Sequence, residues 1–306
     1  MPDIIKILPT EVSNKIAAGE VAQRPSSVLK EILENSIDAN SSKIKIVIKN
    51  AGKNLIQVID DGQGMSRNDM YKSFVKHATS KINKVDDIFS INSMGFRGEA
   101  LAAIASVSMI EMSSSKLNEN DGYFIELNGG KIISEKELIG NKGTSIKVQN
   151  LFYNVPARRN FLKSDFVELK HIINVFNNIA LSHNEIEFSF INNGEEIFYL
   201  KKESLRKRII SIFGEKIREN LIPLNEDTQI ASLNGFILKP GFAKKSRSNQ
   251  YIFVNNRSVK SQFINHSIFS SFDGILRDGY YPGYFLFINI DPVSYTHLTL
   301  PTSYAV

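Results

Sequence analysis

From Lys43 to Lys49 (KIKIVIK) the chain alternates, with Ile44, Ile46 and Ile48 on one face, and Leu55–Asp60 (LIQVID) is a second run of the strand type. The segment Asn50–Asn54 between them holds Gly52, and two such runs joined by a short loop read as an antiparallel hairpin. Just upstream the period is that of a helix, about 3.6. Ser26–Asn40 gathers Val28, Leu29, Ile32, Leu33 and Ile37 on one half of the wheel, with Ser36 among them, and Glu31, Glu34, Asn35 and Asp38 on the other.

The polar half of that helix is short of positive charge. Glu31 with Glu34 and Glu34 with Asp38 are like-charged neighbours, each pair costing roughly 0.2–0.5 kcal/mol. Lys30 offsets part of this. The face is either a solvated acidic stripe or one that meets a cation from outside the helix.

The 306 residues suffice for two domains with sizeable cores. Ile4–Leu8 reads as a strand, and Thr10 opens a helix to about Ala18. Further helices fall at Ser66–Lys76, Ala100–Val107 and Asp165–Ser182. Between them lies a polar, glycine-punctuated segment from His77 to Glu99. Strands are expected around Ser108–Ser113, Gly122–Leu127, Lys131–Ser134 and Gly143–Gln149, and a hairpin closes around Asn193-Gly194. A boundary falls near residue 205, dividing the chain into 1–204 and 205–292. The second part has strands at Ser232–Phe236, Gln250–Val254 and Tyr284–Ile290 and a helix over Phe263–Arg277. After Asp291-Pro292, VSYTHLTLPTSYAV continues no hydrophobic period, and 293–306 reads as a non-native tail.

There are no cysteines, which excludes disulfides, Cys-based zinc sites and a Cys nucleophile. The charge of +5 permits an anionic partner such as nucleic acid without demanding one. No stretch approaches about 18 consecutive apolar residues, and the start has no signal-peptide core, so a cytoplasmic protein is expected.

Four short motifs carry candidate chemistry. Asp60-Asp61-Gly62-Gln63-Gly64 follows a strand: a buried carboxylate there accepts from an exocyclic amine, and Gly62 and Gly64 admit a flat ligand, although an ordinary Asp-Gly turn has the same letters. Gly95-Phe96-Arg97-Gly98 precedes the Ala100 helix, where backbone N–H groups and Arg97 suit phosphate; a flexible glycine cap is the plainer alternative. Thr144 begins a strand after Gly143, and Thr79 and Lys81 open the long polar segment. No P-loop motif occurs. Two basic clusters are present: Arg158, Arg159 and Lys163 beside Phe152, Tyr153 and Phe161, and Lys244, Lys245 and Arg247. The first is a nucleic-acid surface, a domain-contact surface or a solvated face, and the second lies on an expected loop.

In their order these motifs resemble those of the GHKL ATPase superfamily. IAAGEVAQRPSSVLKEILENSIDA, DDGQGM, HATSKI, SMGFRGEALAAIASVS and NLFYNVPARRNFLK resemble, more closely, the N-terminal region of the MutL family of DNA mismatch-repair proteins, over residues 1–292. The resemblance implies an α+β chain, a GHKL (Bergerat) α/β sandwich followed by a smaller α/β domain like ribosomal protein S5 domain 2, here truncated. It implies ATP and Mg²⁺ as cofactors. Glu31 would be the general base and Asn35 the Mg²⁺ ligand. Asp60 would contact adenine, with Gly62, Gly64 and Thr144 at its pocket, and Gly95, Phe96, Arg97 and Gly98, with Thr79 and Lys81, would face the phosphates. It further implies ATP-driven pairing of two N-terminal regions, and DNA, the mismatch-recognition protein MutS and downstream repair proteins as partners. The chain departs from the family where a His-Pro-x-Lys motif is expected to bring a Lys to the γ-phosphate. His297 is not followed by Pro, and no Lys occurs after Lys260. This leaves open an alternative, an ATP- and DNA-binding module without effective hydrolysis. The family's C-terminal dimerisation region is also expected to be missing.

Overall fold

The computed structural model describes residues 18–79, 94–95, 98–116, 121–140 and 142–290. The features expected at Ile4–Leu8 and from Thr10, the residues Lys81, Phe96 and Arg97, and the segment 293–306 lie outside them. Among the described residues the chain forms two compact units. The first runs to Phe176 and resumes over Ile186–Lys201; the second takes Asn177–Glu185 and the chain from Lys202. Each has its own sheet, and the α+β expectation holds.

The first unit contains β1 (Lys43–Lys49), β2 (Leu55–Asp60), β3 (Met109–Ser115), β4 (Asp121–Asn128), β5 (Lys131–Ile139), β6 (Gly143–Gln149), β7 (Glu187–Asn192) and β8 (Glu195–Leu200). They form one sheet in the order β5-β4-β3-β6-β2-β1-β7-β8, antiparallel throughout except for the parallel pair β1 and β7. Its register is a set of rungs. Ile48, Ile56, Val148 and Ile110 lie opposite one another across β1, β2, β6 and β3, and Ile46, Val58, Ile146 and Met112 form the next rung. All eight are buried, each of these side chains contributing about 1.5–3 kcal/mol by leaving water. The third rung changes character: beyond Ile44 it reads Asp60, Thr144 and Ser114, also buried.

The helices of this unit are α1 (Pro25–Asp38), α2 (Arg67–Ser73), α3 (Ala100–Ser106), α4 (Pro156–Phe161) and α5 (Asp165–Ser182), whose last turns belong to the second unit. Pro25 opens α1, where its missing N–H is no loss. The Ala39 N–H returns to the Asn35 carbonyl at 3.0 Å, and Asn40 ends the helix at φ +57°. Val28, Leu29, Ile32 and Leu33 are buried, and α1 lies against β2 and α3. Phe176 of α5 packs on Phe188, Phe190 and Phe198, with ring centroids 5.8, 5.0 and 5.2 Å away. The hairpin at Asn193-Gly194 takes left-handed φ of +52° and +91°, as the dipeptide predicts.

The second unit orders β9 (Leu221–Asp227), β10 (Ala231–Leu238), β11 (Gln250–Val254), β12 (Arg257–Ser258) and β13 (Tyr284–Ile290) as β12-β11-β13-β10-β9, with α6 (Leu205–Phe213) and α7 (Gln262–Ser271). Leu181, Ile209, Ile210, Ile217, Leu221, Leu238, Phe253, Phe285 and Phe287 form its main core. Arg208 is fully buried and closes the end of α5. Its guanidinium donates to the Ala180 carbonyl at 2.9 Å, the Asn184 carbonyl at 3.1 Å and Glu203 Oε1 at 3.2 Å.

Two expectations need correction, and two elements are new. β5 runs to Ile139, not Ser134: it is an edge strand with most residues exposed, so it shows no apolar period. α7 ends at Ser271, well short of Arg277, and Gly274 follows at φ +72°. β9, an edge strand that contains Pro223, and the short α4 are not foreseen from the sequence. Among the described residues no helix is long and apolar enough to cross a membrane.

Candidate functional site

The polar rung is the floor of a cleft of about 1570 Å³ in the first unit. Its wall is the polar face of α1, and its rim includes Ala78, Thr79, Met94, Gly95 and Gly98.

At the floor, three donors hold Asp60. The Ser36 hydroxyl donates to Oδ2 at 2.7 Å, and the N–H groups of Gly62 and Thr144 donate to Oδ1 at 3.0 and 3.3 Å. Burial pushes the carboxyl above the ordinary Asp value, and these donors only partly oppose it. Two carboxylate oxygens can accept about four hydrogen bonds, so Asp60 is oriented by the protein and can still accept from the cleft. The hydroxyls of Thr144 and Ser114 lie 2.8 Å apart. The Ser114 hydroxyl also donates to the Gly143 carbonyl at 3.1 Å and accepts the Met65 N–H at 2.9 Å. Asp61 points elsewhere and fastens the start of β1. It accepts from the Ser42 N–H at 2.7 Å, the Ser42 hydroxyl at 2.5 Å and the Lys43 N–H at 2.8 Å. Burial raises its carboxyl, but these donors outweigh burial and bring it below the ordinary value.

Two glycines make the floor possible. Gly64 has φ +69°, and a Cβ there would sit 1.9 Å from the Ser115 carbonyl oxygen. Gly143 has φ +112°, and its Cβ would sit 2.0 Å from the Asp60 carbonyl oxygen.

On the wall, Glu31 and Asn35 line the cleft. Lys30 Nζ is 2.9 Å from Glu34 Oε1 and 4.0 Å from Glu31 Oε1, so Glu34 takes most of the local counter-charge. Glu34, which the helical wheel assigns to the polar half, is in fact buried. Burial, then the nearby Glu31 and Asp38, push its carboxyl up against the pull of Lys30. At the end of α1, Asp38 accepts the Met94 N–H at 2.9 Å and the Gly95 N–H at 3.2 Å. At the rim, His77 Nδ1 lies 3.1 Å from Glu99 Oε1, and Gly98 at φ +61° passes so close to Ala78 that a Cβ would be 2.6 Å from the Ala78 carbonyl oxygen.

Of the residues singled out from the sequence, Glu31, Asn35, Asp60, Gly64, Thr79, Gly95, Gly98 and Thr144 come together on this one cleft. Gly62 sits behind it, against Ala39 and Ser41, with its N–H on Asp60. Phe152 is not a surface aromatic: it is fully buried at φ +63°, whereas Phe161 is exposed. Sequence reasoning does not mark Ser36, Ser114 or Asp38 as site residues. The two serines carry a signal, since each is a small polar residue in the buried phase of its element, Ser36 among the apolar positions of α1 and Ser114 in step with Ile110 and Met112.

A family model described as histidine kinase-, DNA gyrase B- and HSP90-like ATPase matches residues 23–153, and one described as DNA mismatch repair protein, C-terminal domain, matches 209–297. The DNA mismatch repair protein MutL of Christiangramia forsetii is 53% identical over 294 residues, 96% of this chain and 48% of its own length. The chain belongs to the MutL family. The MutL of Flavobacterium psychrophilum is 51% identical over 292 residues, 95% of this chain and 48% of that protein. The chain thus spans about half the length of the curated relatives it matches. The MutL ATPase domain of Aquifex aeolicus, solved in complex with ADP, superposes with a TM-score of 0.67 at 26% identity, over 91% of this chain and 98% of that one. The first unit therefore has the GHKL ATPase fold, followed by the smaller α/β domain of MutL.

Proposed function

We propose that the chain binds ATP in this cleft and hydrolyses it slowly with Mg²⁺, as the ATPase part of a mismatch-repair protein. The observation that carries the reading is the anchored Asp60 carboxylate on the floor of the same cleft whose wall presents Glu31 and Asn35. Asp60 accepts from the adenine N6 amine, Gly64 and Thr144 line the base pocket, and Gly62 holds Asp60 in place. Thr79, Gly95 and Gly98 face the phosphates, and Lys81, Phe96 and Arg97, outside the described residues, take the phosphate-binding role that the resemblance implies. Glu31 takes the proton of the attacking water. The Asn35 amide oxygen is a hard, neutral donor, which suits Mg²⁺ held mainly by phosphate oxygens; the ion would neutralise phosphate charge. The ADP-bound Aquifex structure supports a nucleotide in this fold.

In the same reading, 1–204 is the ATPase domain, 205–292 a transducer domain like ribosomal protein S5 domain 2, and 293–306 a non-native tail. ATP draws two N-terminal regions into a homodimer in the cytoplasm, and the state passes to DNA, to MutS and to downstream repair proteins. Equilibrium binding of ATP, with phosphate release measured alongside, tests the core of this. Absence of binding overturns it. Binding without release selects the second reading, a module that holds ATP and DNA but does not turn over.

Adenine recognition is strongest with Asp60 ionised. ADP affinity is therefore expected to fall on acidification with a midpoint above the ordinary Asp range, because burial raises this carboxyl. Calorimetric titrations across the pH range locate the midpoint; affinity that stays flat into the ordinary Asp range contradicts the assignment.

A further inference from the structure

Resting on the ATP reading, we propose that Asp38 is the positioning residue for the phosphate-facing segment: it holds the Met94–Gly95 backbone at the cleft, and so sets affinity for the phosphates but not for the base. Asp38 is the last residue of α1, one turn beyond Asn35, and it lines the cleft with Glu31 and Asn35. Each of its oxygens takes one of two consecutive backbone amides, Met94 N–H at 2.9 Å and Gly95 N–H at 3.2 Å. Amide-to-carboxylate bonds of this kind are about twice as strong as neutral ones, and two from adjacent residues fix the direction of the backbone as well as its position. Gly95 carries no side chain to intrude on the cleft. Asp60, at the floor, has its own donors in Ser36, Gly62 and Thr144. The two carboxylates therefore anchor different ends of one cleft, the base end and the phosphate end, and the two are separable by experiment.

The test is binding of adenosine and of Mg²⁺-ATP, by competition against a fluorescent nucleotide, to wild-type, Asp38→Ala and Asp38→Asn chains, with thermal melts for each. Asp38→Ala is expected to weaken ATP about tenfold or more and leave adenosine within about twofold. Asp38→Asn keeps an oxygen for one amide but sets an N–H₂ against the other, and is expected to lose less. Equal losses for adenosine and ATP make Asp38 merely a support of the fold and overturn the proposal, as do unchanged or tighter ATP binding. If Asp38→Ala does not fold, the same comparison is read from Asp38→Asn. A wild-type chain that binds neither compound overturns the ATP reading itself, and this proposal with it.

Discussion

Glu31→Ala is expected to lower phosphate release from ATP by about 10²–10⁴-fold, the range for loss of a general base, while ATP affinity stays within a few-fold. The wall of the cleft explains the split. Glu31 faces the cleft from α1 with its side chain 28% exposed, so a water can reach it. The nearby ammonium of Lys30 is drawn to Glu34, 2.9 Å away, and stays 4.0 Å from Glu31. In the proposed reading affinity depends on other groups, chiefly Asp60 and the rim. A phosphate assay on both chains decides the matter: equal release from wild type and Glu31→Ala sinks the assignment, and a matched loss of ATP binding would make Glu31 a binding group instead.

Gly64→Ala is expected to cost about 2–5 kcal/mol of stability. A left-handed backbone costs a non-glycine residue about 1–2 kcal/mol. Here the added carbon would also lie 1.9 Å from the Ser115 carbonyl oxygen, so either β3 or the floor loop has to move, at a typical further 1–3 kcal/mol. Gly194→Ala is the control. Its φ is also positive, at +91°, but nothing lies within 4 Å of the added carbon, so it meets only the backbone cost. Thermal melts should place Gly64→Ala well below Gly194→Ala, and nucleotide affinity should fall only in the former. Equal melting temperatures would show that β3 yields without cost.

Much of the fold is legible in the sequence because its apolar periods are clean. The α1 stripe, the β1–β2 hairpin and the full lengths of α5, β6, β11 and β13 follow from spacing and turn residues alone. Strand order is not legible. Nothing in Gly143–Gln149 says that it enters between β2 and β3, because pairing partners far apart in the chain leave no local period. The candidate site is legible where a residue type is distinctive, as with Asp60 after a strand or Glu31 and Asn35 on one helix face. It is illegible where the group is common: Ser36 and Ser114 are two among many serines, and only the folded register shows that they hold Asp60 and Thr144. Asp38 shows in the sequence as a charge on a helix, but its partners are backbone amides 56 and 57 residues away, which no side-chain pattern announces.

The third rung has a consequence for how the chain matures. Thr144 reaches Asp60 across 84 residues of sequence and Ser114 across 30, and it does so only with β6 seated between two strands that precede it. A slip of one residue would turn Thr144 to the opposite face and empty the floor of its hydroxyl. A nucleotide held by that rung therefore distinguishes correctly threaded sheets from mis-threaded ones. At a hundredfold excess over its Kd it would deepen the folded state of the former by about 2.7 kcal/mol and leave the latter unaided. The fuel of the protein, in this reading, is also the inspector of its own binding sheet.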